Sequence, residues 1–216
     1  MQKRSRLLAL VLVLSLAAIG PALARPPTDS GAEGAFNLSV HAHSSEFAGP
    51  GGAGTLVETT PLAFPPEGEF SYSSIPCRFP APFNDRALRF TPNPYPIPQP
   101  APVRHIVEGT VTDGIVEGTI TTILCVDGQE SESRIVTAFE GELGRVTENQ
   151  APLTGTFEII DATGIFEGLE GSGKIRGAFT CFPPILEREG AESCEDLGVF
   201  SDFAADLHGH FEDPAV

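Results

Sequence analysis

Tryptophan is missing from the 216 residues, and so are the short motifs that announce the commonest chemistries. There is no Gly-x-Ser-x-Gly nucleophile elbow, no His-Glu-x-x-His helix, no Gly-x-x-x-x-Gly-Lys phosphate loop and no dinucleotide fingerprint. Their absence leaves α/β-hydrolase, zincin, P-loop and Rossmann readings without support. Basic residues are scarce, 13 Lys and Arg against 29 Asp and Glu. A surface of that sign repels phosphate backbones and anionic lipid, so nucleic acid and membrane insertion are not expected. Helical runs are lacking as well. With 23 glycines and 20 prolines the chain is interrupted too often for long helices. Beyond the first two dozen residues nothing sustains a helical apolar period or is apolar enough to cross a bilayer.

One apolar run does stand out, the thirteen residues 7–19. Lys3, Arg4 and Arg6 precede it, and Gly20-Pro21-Ala22-Leu23-Ala24 follows with small residues at Ala22 and Ala24. This is the pattern of a secretory signal peptide cleaved after Ala24. The alternative, a membrane anchor, needs roughly 20 apolar residues. No cysteine stands at the cleavage point, which disfavours a lipid-anchored product. Residues 1–24 are therefore expected to be removed, and residues 25–216 to form a single secreted or periplasmic domain. Loss of Lys3, Arg4 and Arg6, with no acidic residue removed, leaves a net charge of −19 on 192 residues. Such acidity reads as solubility or adaptation to salt, with cation binding as the sharper alternative.

Cys77, Cys125, Cys181 and Cys194 form an even set with no Cys-x-x-Cys spacing. In an exported chain that composition predicts two structural disulfides rather than a zinc site or a catalytic thiol. Three pairings are possible. The favoured one joins Cys181 to Cys194 across a local loop and Cys77 to Cys125, tying a proline-rich segment to a strand.

Period-two alternation predicts strands. At 36–43 the apolar side chains fall at Phe36, Leu38, Val40 and Ala42, one face of a strand. Further strands are expected at 69–74, 103–112, 115–126, 133–143, 154–160, 171–180 and 202–211. A near-repeat, Ile106-Val107-Glu108-Gly109-Thr110-Val111-Thr112 and Ile115-Val116-Glu117-Gly118-Thr119-Ile120-Thr121, flanks Asp113-Gly114. That pair suits a two-residue type I′ turn, so the copies are expected to form one hairpin. Eight short strands with short links predict an all-β fold, an antiparallel barrel or sandwich.

Two segments are expected to be irregular. Residues 76–102 hold nine prolines and read as a long excursion, an ordered insertion or else a lid or partner-binding loop anchored by Phe79, Phe83, Phe90 and Tyr95. Residues 183–197 are rich in acidic groups and read as a solvated loop or one helical turn.

Within 153–177, Thr154-Gly155-Thr156-Phe157-Glu158-Ile159 leads through Ala162-Thr163-Gly164-Ile165-Phe166-Glu167-Gly168 to the Gly-rich Gly171-Ser172-Gly173-Lys174. This stretch resembles the strand, turn and Gly-rich strand of the allene oxide cyclase and dirigent barrel superfamily. Ala162-Thr163-Gly164 stands where the family often has Gly-Thr-Gly. The resemblance implies an eight-stranded, calycin-like antiparallel barrel with an apolar cavity, used by some members for cyclisation and by others to guide radical coupling. None of the family's working residues can be matched here. Read on their own, Phe157, Ile159, Ile165 and Phe166 are apolar anchors, and Gly164, Gly168, Gly171 and Gly173 allow turns and close approach.

His41-Ala42-His43 and His208-Gly209-His210 are the sharpest polar pattern. Residues two apart in a strand project to one side, so each motif offers two imidazoles. If the first and last strands meet, His41, His43, His208 and His210 come together with Glu46 and Glu212 in reach, a nitrogen-rich set suited to zinc or copper. Both motifs lie opposite the apolar alternation, hence on the outer face, where solvated histidines are the plain alternative. Glu108 and Glu117 are an acid–base pair or ordinary surface charges. Taken together, the sequence leads to a non-enzymatic exported barrel that binds a small apolar ligand or a partner protein. A cyclase- or isomerase-like or coupling-guiding enzyme, and a surface metal-binding protein, are the alternatives.

Overall fold

The computed structural model describes residues 31–44, 59–74, 76–77, 85–181 and 183–214. The signal-peptide segment, Glu46, Phe79 and Phe83 lie outside the described residues.

Among the described residues eleven strands follow one another: β1 (Ala32–His43), β2 (Leu62–Ala63), β3 (Gly68–Ser73), β4 (Asp85–Thr91), β5 (Ala101–Thr112), β6 (Ile115–Val126), β7 (Gln129–Leu143), β8 (Gln150–Thr163), β9 (Glu170–Thr180), β10 (Val199–Phe200) and β11 (Asp202–Asp213). Nine of them form one antiparallel sheet ordered β11-β9-β8-β7-β6-β5-β3-β1-β4, with β11 also paired to β1 and β5 to β4. The sheet therefore closes into a barrel-like ring of eight staves. The eighth stave is split: β3 and β4 both lie between β5 and β1, β3 along Ile106–Val111 of β5 and β4 along Ala101–Val103. The all-β expectation holds.

Turn chemistry sets the register where the chain reverses. Asp113 and Gly114 take φ of 51° and 80°, so Thr112 faces Ile115 and the expected hairpin forms. Asp127 and Gly128 repeat the device with φ of 50° and 77°, starting β7 at Gln129 rather than at residue 133. At the β8–β9 turn Gly164 has φ of 67°, and a Cβ there would meet the Ser133 hydroxyl at 2.4 Å. Phe157, Ile159 and Phe166 are buried as expected, whereas Ile165 is 38 % exposed and anchors nothing.

The proline-rich segment needs correction. Residues 83–91 carry no proline, and there β4 forms, with Leu88 and Phe90 alternating into the core at 0 % and 3 % exposure. Tyr95 is also buried, its ring 4.8 Å from that of Phe90 and 5.0 Å from that of Phe166. Phe90 and Tyr95 are core residues, not anchors for a partner. Residues 183–197 likewise hold two short helices, α1 (Pro183–Glu189) and α2 (Cys194–Leu197), the second capped by Ser193 accepting from Asp196 N and ended by Gly198 at φ 75°.

A belt of rings and gaps fills the interior. Cross-strand partners run Phe70, Gly109, Gly118, Phe139, Phe157, Gly173, Gly209, Phe36, Phe90 around the staves. An eight-stranded ring has just enough width for side chains, and the glycines leave room for the rings beside them. A Cβ on Gly173 would stand 2.8 Å from the Phe157 ring and 2.3 Å from the His208 carbonyl oxygen. Phe36 and Phe157 are 5.7 Å apart, Phe36 and Phe90 5.7 Å, within the range of favourable aromatic pairs.

Each end of the ring is closed by a buried tyrosine. Tyr72 accepts from Leu62 N at 2.9 Å and donates to Phe200 O at 2.6 Å, binding the small β2–β10 ladder over one end. At the other, Tyr95 donates to Asp213 at 2.5 Å, and both are buried. Burial pushes both phenols well above their ordinary pKa, aided by Asp202 at Tyr72 and by Asp213 at Tyr95. Two disulfides, Cys77–Cys125 and Cys181–Cys194, have the favoured pairing and suit an oxidising compartment.

Candidate binding face

β1 and β11 do meet, as the histidine reading requires, but their register keeps the motifs apart. His41 stands opposite Ala204 and His208 opposite Asn37. Four residues along a strand separate the two motifs, about 13 Å at the usual rise. The four imidazoles do not converge, and no group of three or more His, Cys, Asp or Glu suited to a metal ion occurs among the described residues. Each histidine has its own surroundings instead. His43 Nδ1 makes a hydrogen bond to the carboxyl group of the buried Asp202. His208 donates from Nδ1 to Asn37 Oδ1 at 2.7 Å, and His210 Nε2 is 3.8 Å from Glu212. The exposed His41 ring lies 5.6 Å from that of His43. Glu108 and Glu117 are exposed on the outer surface, as ordinary charges would be.

Alternation puts Phe36, Leu38 and Val40 inside, and so turns Asn37, Ser39 and His41 outward on β1. The register then lays out rows across β4, β1, β11 and β9. One row is Arg89, Asn37, His208, Lys174; the next runs Ser39, Asp206, Arg176. Ser39 donates to Asp206 at 2.7 Å, so its hydroxyl is committed to a carboxylate and not to an imidazole. Beside these rows opens a groove of about 400 Å³, lined by Ser39, His41, Arg176 and Asp206 around small residues, Ala87, Ala178 and Ala204.

Toward the opposite end of the same strands the sign reverses. Glu33, Glu212 and Glu170 are direct neighbours across β1, β11 and β9. Glu212 and Glu170, with Glu158 and Asp161, border a second groove, of about 770 Å³, beside the exposed Ile160. Like charges directly opposite are mutually unfavourable, and the fold tolerates them only because all are wet.

Sequence reasoning missed one histidine altogether. His105, fully buried on β5, sets Nδ1 3.2 Å from Thr122 Oγ1. Its Nε2 and the hydroxyl of the buried Thr137 have no protein partner among the described residues. Burial lowers the His105 pKa to about 4; the Ser39 backbone carbonyl opposes the shift and the nearby His41 adds to it. The signal was present in the alternation Val103, His105, Val107, which points this imidazole inward. Arg104, turned the other way, is buried too, ion-paired with Glu130 and bonded to Ser73 Oγ at 3.2 Å.

Fold and site together define an antiparallel, barrel-like ring with an apolar interior and a polar, grooved outer face. Comparison with protein-family models, curated proteins and solved structures finds no match to this chain.

Proposed function

We propose that the chain is an exported, non-catalytic binding protein that works through the outer face of β4, β1, β11 and β9. The observation that carries this reading is the phenylalanine and glycine belt. Its side chains are buried in the middle of the ring, while the groove of about 400 Å³ on the outer face is open to a ligand. Export draws on the segment 1–24 and on the two disulfides. Native mass spectrometry of untagged protein purified from its own source tests both halves. A mature chain starting at Arg25, carrying a non-covalent adduct that His41→Ala or Arg176→Ala releases, is the expected result. An adduct indifferent to both substitutions would refute the outer-face assignment.

A second reading is a cyclase or isomerase of the allene oxide cyclase or dirigent type. It draws on the buried ionisable groups His105, Tyr95 and Asp213, of which His105 keeps a ring nitrogen without a protein partner among the described residues. Turnover of a co-purified ligand that Tyr95→Phe abolishes, with the fold intact, would favour it.

A further inference from the structure

Seven Lys and Arg side chains are described, and they are not spread evenly. Arg104, Arg134 and Arg188 each pair with a carboxylate. Arg89, Lys174 and Arg176 make no ion pair among the described residues, although the chain carries 29 acidic groups. All three are exposed and share the outer face of β4, β1, β11 and β9. Arg145, on the β7–β8 connection, is the other cation in this position. Register fixes the geometry: Arg89 and Lys174 close the two ends of one row, three strand spacings or about 14 Å apart. Arg176 is two residues beyond Lys174 on the same strand and lines the groove.

We propose that this groove, with Arg176 in its lining and Arg89 and Lys174 on the row beside it, binds an acidic oligosaccharide, one whose sugar units carry carboxylates; the inference rests on the outer-face reading above. Charge density selects the ligand. Three cations over about 14 Å suit sparse negative charge, whereas duplex DNA presents one charge per roughly 1.7 Å and would meet the surrounding acidic surface. The groups between the cations suit hydroxyls. Asp206 offers acceptors only, the Ser39 oxygen can still accept while its proton goes to Asp206, the Asn37 amide nitrogen on the adjacent row can donate, and His41 and Gln150 line the groove. Ala87, Ala178 and Ala204 keep the floor low enough for a sugar ring to lie against it. A guanidinium meets a carboxylate with two parallel hydrogen bonds, the strong form of this contact.

The test is calorimetric titration of the full mature protein with tetragalacturonate and with its neutral counterpart, tetragalactose. Tetragalacturonate is expected to bind at least about tenfold more tightly, a margin one charge-assisted contact supplies. Raising salt from low to physiological strength is expected to narrow that margin. Lys174→Gln with Arg176→Gln is expected to remove the preference while leaving the melting temperature unchanged, and Arg89→Gln to weaken it. Equal affinity for the two sugars, with both mapped by NMR to Ser39, His41 and Asp206, overturns the anionic assignment and leaves the outer-face reading standing. Tetragalacturonate bound elsewhere, or not at all, overturns the inference. So does tighter binding of a 20-base-pair duplex or of anionic vesicles.

Discussion

Replacing His105 with Phe keeps a ring in the core and removes its proton chemistry. In the folded protein the imidazole is fully buried and titrates at about 4, against 6.5 for an unperturbed histidine. Because the folded ring holds its proton less tightly than the unfolded one, the unfolded chain takes up the extra proton between those two values. Stability therefore falls as pH drops through 6.5 and levels off below about 4. Between pH 7 and pH 5 linkage puts the loss from this one residue at roughly 2 kcal/mol. Urea denaturation with the disulfides intact, at both pH values, measures it. Wild type should lose about 2 kcal/mol more than the variant over that interval, the carboxylates contributing equally to both. An equal loss in the two proteins refutes the reasoning. Should the variant fail to fold, NMR titration of wild-type His105 decides the matter, a midpoint near 6.5 counting against a buried neutral ring.

Other outcomes follow from the belt, the bridges and the charged rows. Gly173→Ala drives a methyl into the His208 carbonyl and the Phe157 ring and should cost about 1–3 kcal/mol, read by thermal denaturation. The paired change Cys77→Ser and Cys125→Ser opens a sequence separation of 48, Cys181→Ser and Cys194→Ser one of 13. Chain entropy assigns these roughly 4 and 3 kcal/mol, so the first pair should lower the melting temperature more. Glu212→Gln relieves the contact with Glu33 and Glu170 at the loss of a weak pairing with His210; a net gain of a few tenths of a kcal/mol, vanishing in high salt, is expected.

Much of the fold was legible because a half-buried strand writes its faces as alternation, and Phe36, Leu38, Val40 and Ala42 all point inward as read. What stayed hidden was set by relations between strands. The β1 and β11 faces were read correctly, yet a register shift of four residues would be needed to bring His41 opposite His208. Nothing local encodes that offset. β4 was lost because nine prolines counted over 76–102 masked a proline-free run inside it. The start of β7, Gln129-Glu130-Ser131-Glu132, has no apolar alternation and is held by its Asp127-Gly128 turn and backbone pairing. Glycines carried a second meaning as well. Gly173 reads as a site of turn or close approach and Gly209 as the spacer of a His-x-His motif, while in the ring both are recesses for Phe157. Of the binding face, the polar outward side of β1 and β11 was visible, but Arg89, Lys174 and Arg176 come from different strands and meet only when the ring closes.

The seam between β1 and β11 has a practical corollary for protein engineering. Ala32 and Asp213 are Cα partners, so a linker of a few residues can join them without disturbing a stave. Opening the chain instead at the exposed Asp113-Gly114 turn yields a circular permutant with the same ring and new termini on a hairpin tip. In that permutant β1 and β11 become a hairpin of near neighbours in sequence. The outer face they carry can then be diversified or displayed as one contiguous cassette.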